Sequence, residues 1–451
     1  MWKQYRIGAA VGASLIALTA CGGGGGGGAP IATASAAPAP APSPAPTPTP
    51  APAPVPAPAP APAASTPSPA PAPAASAPSA PARTLYTVVP LQVGQLGSTQ
   101  VRATGINAIG QVTGNLVDGS GQRLAFVYDG QRLQTFAVPG RDDPQGIALN
   151  ARGDAAVQAG NTADGSTRSF LRRADGSLVD LGDAAASAHA PVPLSINAAS
   201  MVAGSGDLGG ASRAFLYDPA TGRTTDLVPG APQSAARALN GTGMVVGDMQ
   251  TATQGVMAFA WTAAGGAVAL GPLDARELQS RAVAVNDAGE VLGTSYDPQA
   301  RASRPFYWRA GQGPLALPVP AGGADASVIN ASGQVAGTMY DAGALPSNRL
   351  AHAFVWSKAT GLAPLAALDG DTQSSAAVIN AKGEAGGSSS GAAGTRAVLW
   401  SAGGVATDLN TALAAGSSIG ATLQRVLALS DGGALVAVSS QGGVYLLVPT
   451  P

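Results

Sequence analysis

Residues 281–317 read RAVAVNDAGE VLGTSYDPQA RASRPFYWRA GQGPLAL, and this stretch decides the architecture because it recurs. An apolar run ends at Asn286, Gly289, Val291 and Gly293 follow, Phe306, Tyr307 and Trp308 form an aromatic run, and Leu315 and Leu317 close the unit. Aligned on the asparagine, the copies fall at Asn107, Asn150, Asn197, Asn240, Asn286, Asn330 and Asn380, with Ser430 in that place in a last copy. The steps are 43, 47, 43, 46, 44, 50 and 50 residues. Three positions on stands a glycine in every copy but one, where Ser200 replaces it.

Each copy reads as four short strands, a to d: the apolar run, the Val-x-Gly segment, the aromatics at i and i+2, and a run ending in leucine. Asn at i with Gly at i+3 suits a type I turn, since the Asn side chain bonds the backbone ahead and Gly accepts the exit conformation. The asparagines are therefore read as turn chemistry. Helical periodicity is confined to residues 410–415. Four strands per 43 to 50 residues points to an all-β β-propeller of four-stranded blades packed face to face. The last copy supplies only strands a, b and c, while Tyr86, Thr87, Val88 and Val89 precede the first strand a. Pairing the two ends gives eight blades closed by the N-terminal strand; seven blades, with one weak copy displaced, is the alternative.

Composition sets the limits on function. Of 451 residues only 11% are charged and 4% aromatic, with 61 Gly and 38 Pro. Lys+Arg 24 against Asp+Glu 25 leaves no global field to attract nucleic acid, so no nucleic-acid partner is expected. One cysteine, Cys21, permits no intramolecular disulfide and no thiolate metal site. No cofactor or metal is implied, and a monomer is expected.

Residues 1–20 combine Lys3 and Arg6, an apolar run from Ile7 to Leu18, and the ending Leu18-Thr19-Ala20 before Cys21. This is the pattern of a secretory signal, and its last four residues resemble the bacterial lipobox. That resemblance implies lipidation of Cys21 and anchoring in the membrane through its acyl chains. Gly22, in place of an aspartate retention signal, points to the outer membrane, facing the periplasm or the cell surface. Residues 21–83 are a glycine run followed by alternating Ala and Pro, too poor in apolar surface to fold. At about 3.1 Å per residue this tether reaches on the order of 150 Å. Residues 84–451 form the repeat domain.

The pattern Val328-Ile329-Asn330-Ala331-Ser332-Gly333-Gln334-Val335-Ala336-Gly337, followed by His352-Ala353-Phe354-Val355-Trp356, resembles the bacterial HAF repeat. Elsewhere the histidine is replaced, as in Arg213-Ala214-Phe215, Arg304-Pro305-Phe306 and Arg168-Ser169-Phe170. Tyr86-Thr87-Val88 and the segment from Asp408 to Ser417 are similar to the ends of such proteins. The resemblance implies an extracellular or envelope repeat protein and carries no settled activity.

In such a propeller the a–b and c–d turns share one rim, short and uniform, while the variable b–c and d–a loops share the other. Binding residues concentrate on loops held by a rigid scaffold. The candidate binding rim displays Arg141, Asp142, Asp274, Arg276, Glu277, Tyr296, Arg301, Tyr340, Arg349 and His352, with Asp369, Asp371 and His189 also on it. Arg, Asp and Tyr together suit a glycan or an envelope protein through stacking and bidentate bonds. Arg123, Arg168, Arg213 and Arg304, just before the Phe of strand c, either ring the axis or lie along a neighbouring blade. No hydrolase elbow, zinc-protease helix motif or phosphate loop occurs, and no catalytic residue is assigned, so an enzyme is not expected. The alternatives to a membrane-anchored binding platform are a propeller glycoside hydrolase or lyase, using an acid pair such as Asp274 and Glu277, and a structural module without a fixed ligand.

Overall fold

Short apolar runs separated by glycine turns restrict the chain to brief antiparallel pairings, and the computed structural model consists of these throughout. It describes residues 84–450, apart from 90, 92–99, 183–194, 209, 253–254, 275–276, 278 and 343–348. The expected signal, the expected lipidation site Cys21 and the expected tether lie outside the described residues. In blade 1, strands a (Gln100–Ile106), b (Val112–Val117), c (Arg123–Tyr128) and d (Leu133–Phe136) pair in that order, all antiparallel. Six more blades repeat this order, ending with Ala406–Asp408 as strand d of blade 7. Blade 8 has a (Leu423–Leu429), b (Leu435–Ser439) and c (Val444–Pro449), and its strand d is Tyr86–Val89, registering Tyr86 with Pro449 and Val89 with Leu446. The protein is an eight-bladed propeller closed by its N-terminal strand.

Consecutive strands a touch one another all the way round, including Gln100–Ile106 against Leu423–Leu429, so they are innermost and the ring is shut. The apolar core is divided accordingly: eight buried clusters, each straddling two neighbouring blades. The junction of blades 8 and 1 has its own, with Val112, Phe126 and Tyr128 against Val436 and Leu446. Residues 410–415 form no helix beyond the single 3-10 turn Leu409–Thr411.

The Val-x-Gly and Phe-x-aromatic motifs form one packing unit. Gly114 registers with Phe126, Gly247 with Phe259, Gly337 with Phe354, and all three phenylalanines are fully buried. A Cβ at Gly247 would stand 1.9 Å from the Ala235 carbonyl, and at Gly387 1.8 Å from that of Ser375. Strand a approaches strand b too closely for any side chain there, because each fully paired strand a is bulged at this level, as between Ala236 and Ala238 or between Ala376 and Val378. The aromatic ring then covers the bare glycine backbone, and each such side chain contributes roughly 2–3 kcal/mol by burial.

The asparagines have a second task that the turn reading does not contain. In Asn197, Oδ1 accepts from Ala199 N and Met201 N at 3.0 Å, capping its own hairpin. Its Nδ2 donates to the carbonyl of Asn240, the equivalent residue of the next blade, at 3.1 Å. The same bond runs from Asn107 to Asn150, Asn150 to Asn197, Asn240 to Asn286, Asn286 to Asn330, Asn330 to Asn380 and Asn380 to Ser430. Serines on strand a add a second belt: Ser234, Ser280 and Ser374 accept from the backbone N–H of Ala214, Ala258 and Ala353 in the preceding blade. In these three copies the alanine before the phenylalanine is thus the point where one blade is hydrogen-bonded to the next.

Candidate binding rim

The b–c and d–a loops do share one rim, opposite the asparagine hairpins, as their strand directions require. Most of the ten candidate residues are engaged within it. Arg141 Nη1 donates to Ser166 Oγ at 2.8 Å, and Asp142 accepts from Thr162 N at 2.8 Å and from the Thr162 hydroxyl. These bonds tie the loop entering blade 2 to that blade's b–c loop, and the Thr162 hydroxyl, foremost, holds the Asp142 carboxyl below its ordinary pKa. Tyr340 donates its hydroxyl to Asp325 at 2.8 Å; burial, with the adjacent carboxylate, pushes that phenol up. Arg349 Nη1 donates to the Gly322 carbonyl at 2.8 Å. His352 Nε2 lies 3.2 Å from Asp341 Oδ2.

Glu277 is only 3% exposed, and it accepts from Arg304 Nη1 at 2.6 Å and from the Ser295 hydroxyl. Its carboxylate is committed to this internal ion pair, and what it shares with Asp274 is a backbone bond, Glu277 N to Asp274 O at 2.9 Å. Asp371 is placed alike, with Arg396 Nη2 at 3.0 Å and the Ser389 hydroxyl at 2.7 Å. Arg276 and His189 lie outside the described residues.

The arginines of strand c do not ring the axis, since strand c is third from it. They form a repeated cation position on the rim: Arg168 with Asp180 at 3.3 Å, Arg213 with Asp226 at 3.8 Å, Arg304 with Glu277, His352 with Asp341. Arg123, one residue earlier, reaches Asp143 of the next blade at 3.2 Å. The His of the His-Ala-Phe tripeptide is one member of this series, which is why arginine replaces it elsewhere.

Asp142 stays exposed despite its bonds to Thr162, and two further candidates are presented to solvent. Tyr296 is 43% exposed, and Arg301 is exposed in the b–c turn of the same blade with φ +50°, a conformation uncommon for a side chain of its size. Leu350, 42% exposed, lies on the same rim in the adjoining blade. Blades 5 and 6 therefore bring Tyr296, Arg301, Tyr340, Arg349 and His352 to one sector. Arg141 and Asp142, at the junction of blades 1 and 2, lie across the ring from it. A cavity of about 520 Å³ on this rim, bordered by Arg396, Asn410, Leu413, Ser417, Ile419 and Thr422, was not among the candidate residues. Its signal in the sequence is the lengthened connection into the eighth copy.

No family model matches the chain, and no curated protein matches it. Solved structures similar to it include a Mycobacterium tuberculosis puromycin-hydrolyzing peptidase (14% identity, TM-score 0.43, 79% of this chain and 60% of that one). TolB from Acinetobacter baumannii (11%, 0.35, 78% and 79%) and an oligogalacturonate lyase in complex with manganese (10%, 0.42, 66% and 85%) are others. The chain thus spans under two thirds of the peptidase, and no activity carries over from any of the three.

Proposed function

We propose that this chain is an envelope lipoprotein of the HAF-repeat type, anchored through Cys21, whose propeller is a binding platform for an extracellular glycan or an envelope protein. The observation that carries the reading is the contrast between the two rims. On one, hairpin after hairpin is consumed by the asparagine belt. On the other, the sector of blades 5 and 6 leaves Tyr296, Leu350 and Arg301 uncovered, beyond which blades 7 and 8 hold the cavity beside Arg396. An exposed aromatic beside an arginine supplies the stacking face and planar donors that sugar rings and protein hot spots use. The long tether would carry such a surface away from the membrane.

The test is a glycan and polysaccharide array probed with the full chain in detergent, read for both binding and product release, and repeated with Tyr296→Ala and Arg301→Ala. Binding that falls at least tenfold in either variant supports the rim; binding unchanged in both excludes it. Cys21→Ser is expected to release the chain from the membrane fraction, and retention of that variant would remove the anchor from the reading.

A further inference from the structure

Five residues before the asparagine, the eight copies carry Arg102, Gln145, position 192, Ala235, Arg281, Asp325, Ser375 and Arg425. Position 192 lies outside the described residues. The residues on either side of this level are turned into the blade interfaces: Ala236, Ala282, Ala326, Ala376 and Val426 are buried on one side, and Ser234, Ser280 and Ser374 on the other. The level itself is reached by solvent in every described blade, half-buried in six and exposed at Asp325. Because strands a are innermost, the residues of this level lie nearest the propeller axis.

The electrostatics of this level are lopsided. Arg102, Arg281 and Arg425 stand at the same level, and none has an ionic or hydrogen-bonded partner among the described residues. The one acid there, Asp325, already receives the Tyr340 hydroxyl. Arg102 and Arg425 belong to blades 1 and 8, whose strands a are neighbours, so the two unpaired charges stand on adjacent innermost strands. Arg425 Nε is buried without a partner, as is Oδ1 of Asn115, which registers with Arg102. Burial lowers the pKa of the Arg102 guanidinium. Six other arginines, Arg123, Arg168, Arg213, Arg237, Arg304 and Arg396, do have carboxylates. Half-buried guanidinium groups left unpaired at one level are costly unless an anion meets them.

We propose that this level is an anion site, in which Arg102 and Arg425 clamp a phosphate or carboxylate group, with Arg281 facing it from across the ring. The planar fork of arginine suits both anions. The clamp itself lies at the seam of blades 8 and 1, across the ring from Tyr296 and Arg301 of blade 5, so either site can stand without the other. The ligand chemistry is shared by a free inorganic anion and by the acidic groups of a polymer threaded along the axis.

Calorimetric titration of the full chain in detergent at low salt, with inorganic phosphate and separately with an oligouronate, tests this. Saturable, salt-sensitive binding is expected, weakened at least tenfold in Arg102→Gln and Arg425→Gln and unchanged in Arg301→Gln on the rim. Binding of phosphate alone assigns a free anion; tighter binding of the oligouronate assigns the polymer. Without anion, the double variant should melt at or above the parent temperature, because two unpaired charges on adjacent strands are gone, and added phosphate should raise the melting temperature of the parent alone. No saturable binding of either probe, binding indifferent to both glutamine variants, or a double variant that melts lower without anion would each overturn the proposal.

Discussion

An asparagine amide has an acceptor and a donor at opposite corners, and this protein uses them for different jobs. The oxygen closes a hairpin and the nitrogen reaches the next blade. Asn197 therefore makes three bonds, whereas Ser430, at the equivalent position, makes one, accepting from Ala434 N at 3.0 Å. At about 1 kcal/mol net per bond, Asn197→Ala is expected to lose about 3 kcal/mol and Ser430→Ala about 1, measured by urea unfolding. A loss of only about 2 kcal/mol at Asn197 would mean that the inter-blade bond contributes nothing. Ser200 is informative in the same way. It occupies the glycine place with φ +61°, and its hydroxyl donates to Asp154 Oδ2 at 2.5 Å and accepts from Asn150 Nδ2 at 3.0 Å. Two bonds to the neighbouring blade offset a left-handed conformation that glycine would adopt freely.

At the scale of the blade, the close pairing of strands a and b leaves no room for a methyl group. Gly387→Ala would drive its Cβ into the Ser375 carbonyl, while Gly370, in a turn with φ +82°, has nothing within 4 Å of the same addition. Gly370→Ala should cost about 1 kcal/mol, from backbone conformation alone. Gly387→Ala should cost several times that, by overpacking, and comparison of the two melting temperatures separates the effects. The rim and outer hairpins respond to acid instead. Ser120, Ser166 and Ser177 hydroxyls, foremost, hold the carboxyls of Asp118, Asp164 and Asp175 below their ordinary pKa, and the backbone N–H of Arg132 does so for Asp129. A carboxyl whose folded pKa is depressed stabilises the fold above its unfolded value, near 4, and the stabilisation is lost as pH falls through the folded value. The melting temperature is expected to be level above about pH 5 and to decline below about pH 4. A profile flat to about pH 2 would show that these exposed turns contribute nothing.

At the scale of the ring, seven junctions carry the asparagine donor and one does not. Ser430 has no amide to reach the Asn107 carbonyl, so the junction of blades 8 and 1 relies on its apolar cluster and on the pairing of Tyr86–Val89 with Val444–Pro449. Burial raises the Tyr86 phenol to about 12, in keeping with its place in the cluster beneath that closing strand. Ser430→Asn should complete the belt and stabilise by about 1 kcal/mol, raising the melting temperature by roughly 2 °C in a domain this large. A lower melting temperature would mean that the serine is required at the seam.

The order of strands, the count of blades and the closure were legible in the chain, because each follows from a local pattern repeated at one spacing: Asn to Gly for the turn, Val-x-Gly to Phe-x-Trp for the packed pair. The site was legible only as a rim. Local sequence says that Glu277, Tyr296 and Arg301 lie in loops on one side of a blade, but not that Glu277 is buried under Arg304 while Tyr296 stays in water. It says nothing of Arg141 and Asp142 lying across the ring from both. Nor does any single copy reveal that its asparagine donates to the next, or that the strands of Arg102 and Arg425, over three hundred positions apart, become neighbours. Those relations exist only once closure brings the first repeat against the last, since contact between residues far apart in the chain is set by the geometry of the ring and not by the propensities of the segments that build it.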